Sequence, residues 1–426
     1  MPTPRLPSTR PAPALTTDDL RSVPVALDAG GLNGAMMRRH NGVRILEAVR
    51  RHGPISRAAL ARRSRLSPPT VSALVNDLLN RKGLLRLAGI GASSGGRRPV
   101  MVEFNAEFGY VAAVDLGSTT IRFALADLQG RVVHRRQERT PGSSRDAVIA
   151  RITSGISALF TESGLDARKL FAIGIGAPGM TDVARGTVIR AVNLRGWVDV
   201  PLRDLLESAF GVPTVVDNDV NMAALGEFWA GCARGEGNFV FVALGAGVGA
   251  GIVVDGHLHR GSRWYAGEIS HMNLDYRRWH EDFGEQGYLE SRAGAAAIAR
   301  LGEGVVASPP LTIASPRRRT EVLPASLFEA ARDGHRAAQR VVERIAVYLG
   351  TAVANIVTVL DPTMVVFGGG ISHAGDQLLD PVREVVARIV PNCPEIRVTE
   401  LGDEAQLHGA LYSVLQLAES RLLERV

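Results

Sequence analysis

Hydrophobic spacing divides the chain into two stretches of different character. From Asn41 onward, Val43, Ile45, Leu46 and Val49 recur at the interval of a helix face, and Gly53-Pro54 ends that helix. Ser56 predicts the cap of a second helix with Leu60 inside. Ser67 predicts the cap of a third, with Pro68 at the first helical position, where a missing N–H costs nothing. Val71, Leu74, Val75 and Leu78 form its buried face, and Gly83 ends it. Leu84 to Leu87 and Val100 to Phe104 then read as two strands joined by a loop from Gly89 to Gly96. Ahead of all this, residues 1–40 mix Pro, Gly, Thr and charge without periodicity and are predicted to be mostly disordered.

Beyond residue 108 the apolar residues come in short unbroken runs, the pattern of strands buried on both faces. Such runs lie at Tyr110 to Leu116, Ile121 to Ala126, Phe239 to Leu244, Ile252 to Val254 and Met364 to Phe367, with a further strand at Arg131 to His134. Residues 336–360 keep Val341, Ile345, Leu349, Val353 and Ile356 on one face and predict a long core helix. Residues 404–424 predict a final helix, and Ala307 to Thr320, rich in Pro and Arg, predict a surface loop.

The stretch Val215-Val216-Asp217-Asn218-Asp219 stands apart. Two β-branched residues run into a polar cluster, and a small-residue helix follows through Glu227. A buried strand here would deliver carboxylate and amide groups to its carboxyl end, where α/β sheets place ligands. Asn218 and Asp219 suit the hydroxyls of a polyol; alternatively the three residues turn the chain and cap the helix.

At 426 residues, two or three domains are expected. No run of 18 or more uncharged apolar residues occurs, the first residues lack the apolar centre of a secretion signal, and two cysteines make no disulfide framework. A cytoplasmic protein without a membrane partner is the expectation. Charge is uneven. Residues 1–107 hold 17 Arg and Lys against 7 Asp and Glu, a net of +10; the whole chain is +6, so the remainder carries −4. A polyanion partner is therefore predicted for the first module alone.

Three short helices followed by a hairpin describe a winged helix-turn-helix over 41–107. Ser67, Thr70, Ser72 and Asn76 of the third helix are the candidate base readers. Arg97 and Arg98 at the wing tip, with Arg57, Arg62, Arg63 and Arg65, are the candidate phosphate contacts. The alternative is a small interaction module with a solvated basic face.

Three strand-to-glycine junctions mark the larger part: Asp115-Leu116-Gly117, Gly245-Ala246-Gly247-Val248-Gly249, and Gly368-Gly369-Gly370. They fit a duplicated α/β fold closing over a nucleotide, or close backbone packing at a hinge. The block from Gly267-Glu268 and His271 to Glu290, together with these junctions and Asn218-Asp219, resembles the ROK family of bacterial sugar kinases and sugar-responsive repressors. The resemblance runs from residue 41 to 426, and the winged helix places it with the repressor branch.

The resemblance implies an α/β, two-lobed actin-like (ribonuclease H-like) sugar kinase fold, with lobes over 108–220 and 221–403 and the last helix packing back on the first. It implies a sugar site of Asn193, Asn218, Asp219, Glu268, His271 and Glu290, with Asp219 as the base in a kinase. Asp115, Gly117, Thr119, Gly245, Gly247 and Gly369 match nucleotide-side positions. Two departures matter. The zinc-ligand positions that accompany His271 in the family hold Glu281, Phe283 and Tyr288, so no zinc is predicted, with Phe283 and Tyr288 packing the loop as an apolar plug; His271 with Glu281 and a nearby carboxylate is the remaining alternative. On the phosphate side, Thr120 and Ala246 replace family residues that face ATP, which puts ATP in doubt. The reading is a dimeric repressor, or a dimer of dimers, that binds operator DNA and a sugar effector; the alternative is an active ATP-dependent sugar kinase carrying a DNA-binding module.

Overall fold

The computed structural model describes residues 34–92, 98–142, 144–303, 305 and 316–426. The amino-terminal module holds α1 (Gly34–His52), β1 (Ile55–Ser56), α2 (Arg57–Ser64), α3 (Pro68–Asn76), β2 (Leu85–Ile90) and β3 (Val100–Phe104). The Ser56 hydroxyl accepts from the Ala59 N–H and the Ser67 hydroxyl from the Thr70 N–H, so both predicted caps form. Ile45, Leu46, Val49, Leu60, Val71, Leu74, Val75 and Leu78 are buried together. Three details differ from the sequence reading. α1 begins at Gly34, so 34–40 are helix rather than part of an unstructured tail. A π-helical turn, Asp77–Arg81, continues α3. Ile55–Ser56 adds a third strand to the wing sheet, in the order β1-β3-β2. Residues 1–33 and the tip 93–97 lie outside the described residues.

The body repeats one sheet twice. In the first lobe β4 (Tyr110–Leu116), β5 (Thr120–Asp127) and β6 (Val132–Arg139) form an antiparallel meander. β7 (Leu170–Ala177) and β11 (Thr214–Asn218) add on in parallel, giving the order β11-β7-β4-β5-β6. α4 (Arg145–Ser163) and α5 (Leu202–Phe210) belong to this lobe. A small sheet of β8 (Met180–Asp182), β9 (Thr187–Arg190) and β10 (Val198–Val200) stands at its edge. α6 (Asp219–Ala230) leads out of β11.

In the second lobe β12 (Phe239–Leu244), β13 (Val248–Val254) and β14 (His257–His259) form the meander. β15 (Met364–Gly368) and β16 (Glu395–Val398) add in parallel, in the corresponding order β14-β13-β12-β15-β16. The strand after the second glycine array begins at Val248, four residues before the predicted Ile252. α7 (Gly287–Ala293), α8 (Ala295–Glu303), α9 (Pro316–Arg332), α10 (Arg336–Leu360) and α11 (Asp376–Ile389) pack around this sheet. Of the expected loop, residues 307–315 lie outside the described residues, and Pro316–Thr320 are helix within α9. α10 is long and apolar enough to cross a membrane by length and composition, yet its Val342, Ile345, Leu349, Val353 and Ile356 are buried in the lobe core. α12 (Ala405–Glu424) returns to the first lobe. Its Leu407, Ala410, Leu411, Val414 and Leu415 share one core cluster with Val111 and Ala113 of β4 and with the interior of the amino-terminal module.

Candidate functional site

The carboxyl ends of β4, β7 and β11 and the three glycine junctions face a cleft of about 1050 Å³. Asn193, Asn218, Asp219, Glu268 and Glu290 line it, as do Gly117, Thr119, Gly245, Gly247 and Gly369. His271 is absent from the lining: its ring is exposed and lies 6.0 Å from that of Tyr265. Asp115 sits just behind the wall, 3 % exposed.

Asn218 is engaged within the chain. Its side-chain oxygen accepts from the N–H groups of Val220 and Asn221, capping α6, and its amide donates to Gly179 O (2.9 Å) and Asp219 Oδ1 (3.1 Å). A sugar hydroxyl would have to share those atoms, so the capping alternative describes this residue well. Asp217 is also engaged within the chain: it takes two bonds from Arg260, at 2.8 and 2.6 Å, and one from Asn221. Asp219 differs. Its Oδ1 accepts from Val220 N–H, while no hydrogen bond among the described residues engages Oδ2. Burial, then the negative charge of Asp115, then that of Glu268, push its carboxyl up to about 7. Glu268 is raised by burial, and Glu290 by burial and by Glu268. Three carboxyls at one cleft wall thus resist further negative charge and offer acceptors to hydroxyls.

On the nucleotide side several groups are engaged within the chain. Arg122 stands opposite Asp115 in the β4–β5 register and donates to its Oδ2 at 3.1 Å, with Asp403 at 3.5 Å on the other arm. Burial raises the Asp115 carboxyl to about 6, against the pull of Arg122. Gly117 N–H donates to Thr120 O, Gly245 N–H to Gly247 O, and Val248 N–H to the Glu290 carboxylate at 3.0 Å. The carboxylate that the resemblance assigns to a metal–nucleotide therefore holds a guanidinium, and these glycine-loop donors face internal acceptors. Arg122 would have to release Asp115 before that carboxylate could help hold a magnesium nucleotide.

The residues at the zinc-ligand positions do not fit that metal. Glu281 pairs with Arg278, and the rings of Phe283 and Tyr288 meet edge-on at 5.2 Å with Arg292 over both. Among the described residues no group of three or more His, Cys, Asp or Glu side chains is placed to hold a metal ion.

In the amino-terminal module Ser67, Thr70 and Asn76 are exposed and Ser72 is half-buried. Ser67 and Thr70 share a hydroxyl contact of 2.8 Å, and Arg57 donates to Asn76 Oδ1 at 2.8 Å, so Asn76 would have to release Arg57 to reach a base. Arg98 is exposed; Arg97 lies outside the described residues. Sequence reasoning missed Arg122 and Arg260. Their signal was faint: an arginine in an apolar strand and another after a short hairpin, each needing a buried acid that only the fold supplies.

Comparison with known proteins agrees with this architecture. The model of the ROK family matches residues 111–417, and that of a winged helix-turn-helix DNA-binding domain matches 38–81. The chain is 32 % identical over 389 residues to a putative xylose repressor of Caldicellulosiruptor sp. strain Rt8B.4, covering 90 % of this chain and 97 % of that one. It is 36 % identical over 320 residues to a glucokinase of Halalkalibacterium halodurans, covering 73 % and 96 %. Among solved structures, a ROK family transcriptional regulator, a homolog of the E. coli MLC protein, superposes with a TM-score of 0.71 at 25 % identity, covering 91 % of this chain and 98 % of that one. The chain belongs to the ROK family, with a winged helix-turn-helix module in front of the family's two-lobed actin-like body.

Proposed function

We propose that this chain is a sugar-responsive transcriptional repressor of carbohydrate uptake or catabolism genes, acting in the cytoplasm as a homodimer or dimer of dimers. The working division is a DNA-binding module up to residue 107, a first lobe over 108–220 joined by α12, and a second lobe over 221–403. One observation carries the reading. The cleft turns raised carboxyls toward a ligand at Asp219, Glu268 and Glu290, while Arg122 closes the metal corner at Asp115. That combination suits an uncharged polyol and disfavours a nucleotide. Relatives described as xylose repressors support the same direction. The effector acts by differential affinity: sugar draws the lobes together, and the closed body presents the two DNA modules of a dimer at a spacing the operator does not match. Binding of a DNA duplex, selected from a random pool by the sugar-free protein, should weaken when D-xylose or another sugar saturates the cleft. Unchanged duplex binding across a panel of sugars that do bind would remove the reading.

A second reading keeps some kinase activity. It is favoured by the Asp219 carboxyl lying near 7, the range of a useful general base, and by glucokinase relatives. Sugar-dependent ADP release in a coupled assay would establish it.

A further inference from the structure

Two helices stand between the cleft and the DNA-binding module, and they meet backbone to backbone. α6 starts at Asp219, so its first turn is part of the cleft wall. A Cβ added to Gly226 would fall inside the carbonyl of Ala405, and one added to Gly409 inside the carbonyl of Met222. With no side chain between them, α12 cannot keep its place if α6 shifts, because close-packed interiors transmit displacement. The end of α6 is tied to the approach to α12 as well. The fully buried Glu227 accepts from Thr399 Oγ1, whose oxygen in turn accepts from the N–H groups of Leu401 and Gly402. On its other side α6 packs on β13: a Cβ at Gly251 would lie 2.6 Å from Ala224 Cβ and 2.9 Å from Val220 O. α12 and β13 therefore grip the helix that begins with the ligand carboxylate.

From Gly409, α12 runs about 15 Å further to Glu419 and there enters the DNA module. Arg50 of α1 pairs with Glu419, the two side chains 15 % and 11 % exposed, and the same guanidinium lies 5.1 Å over Phe104 of the wing strand β3. Lys82 donates to the main-chain oxygens of Arg425 (2.5 Å) and Val426 (3.3 Å), and Arg39 to that of Leu423 (3.4 Å). The Arg425 guanidinium covers Phe108 at 5.9 Å and Phe171 of β7 at 4.7 Å.

We propose that α12 is the transmission element of the regulator: lobe closure on a sugar displaces α6, α6 carries α12, and the far end of α12 reorients α1 and the wing through Arg50, Lys82 and Arg39. This rests on the sugar-responsive reading above and adds the route. The test uses the full chain, D-xylose and D-glucose as probes, and a duplex selected from a random pool by the sugar-free protein. In the parent, the sugar that binds should weaken duplex binding about tenfold or more. Glu419→Gln with Lys82→Met removes two ties at the far end and leaves the cleft and the α6–α12 contact alone. Sugar affinity should then stay within about twofold, while the weakening of duplex binding falls below about threefold. Hydrogen exchange on the parent, which needs no variant to fold, should change over 405–424 and 42–50 when sugar binds. A variant with the parent's full response, or a parent that responds with unchanged exchange over 405–424, overturns the proposal. A parent that binds sugar and ignores it in duplex binding removes the sensor reading instead, and its exchange pattern then reports separately whether α12 moves.

Discussion

Asp219 carries the most exposed expectation about single residues. Its carboxyl is pushed up to about 7 by burial and by the charges of Asp115 and Glu268. A sugar hydroxyl donates more strongly to the carboxylate than to the neutral acid, so below about 7 protonation weakens that bond. Sugar affinity should rise with pH by at most about tenfold per unit below pH 6 and level off above about pH 8. Asp219→Asn should flatten that profile, which titration calorimetry at pH 5.5, 7 and 8.5 would check. At pH 8 the same variant should lose roughly 1.5 to 3 kcal/mol of sugar affinity, because an amide replaces one acceptor with a donor and removes the charge from the bond. A flat profile in the parent would take Asp219 out of the sugar contact. Arg122 makes the converse point. Its partner Asp115 is legible as a motif residue, but the pairing depends on the β4–β5 register, which brings two residues seven apart in sequence face to face. Sequence spacing alone says nothing of such a pair. The capping of α6 by Asn218, by contrast, is a contact of two and three residues and stood among the sequence alternatives.

Among the elements, those with strong periodicity and clear stops were legible. The caps at Ser56 and Ser67, the strand Val100–Phe104 and the long α10 follow from side-chain chemistry within a few residues. What the sequence hid were elements held by distant partners. α1 runs back to Gly34 through a stretch without an apolar face, and its Arg39 reaches the far end of α12. β1 exists because Ile55 and Ser56 pair with Val102 and Met101. The wing gives a prediction at this scale. Arg97→Ala with Arg98→Ala should weaken duplex binding for all sequences alike and lower the slope of log affinity against log salt by about one to two; an unchanged slope in a fluorescence titration removes the wing from the interface. The loop of Glu281, Phe283 and Tyr288 gives another. Two rings packed at 5.2 Å occupy ligand positions, so purified, dialysed protein should carry no stoichiometric zinc by elemental analysis, and about one zinc per chain would show that other donors take over.

For the whole molecule, the sequence suggested a basic DNA module followed by an acidic body, two units with a border near residue 107. Charge and motif order carry that division, but they do not reveal how the units adhere. In the fold, Val71, Leu78 and Phe104 of the module belong to the same buried cluster as Leu411, Val414 and Leu422 of α12 and Val111 of β4. The packing does not break at residue 107. A unit of about 70 residues is marginal by itself, since it buries little more than about 60 % of its chain's surface. This one shares its core and lends a face to α12. Cutting there would expose Leu411 and Leu422 on one side and their partners on the other, and would leave Arg50 and Glu419 without each other. Fully burying one such apolar side chain is worth about 1.5 to 3 kcal/mol, so re-exposing several removes a large part of any domain's stability. The isolated segment 34–107 should therefore lack a cooperative thermal transition. In the full chain the module should melt together with the first lobe. Circular dichroism of the fragment, and calorimetry of the full chain beside a tryptophan reporter placed at Leu87, would measure both; Leu87 lies on an exposed face of β2 and has no role in the core. A fragment with its own sharp transition, or a reporter that melts well before the body, would mean that the shared core is not cooperative and that α12 is an anchor the module can leave.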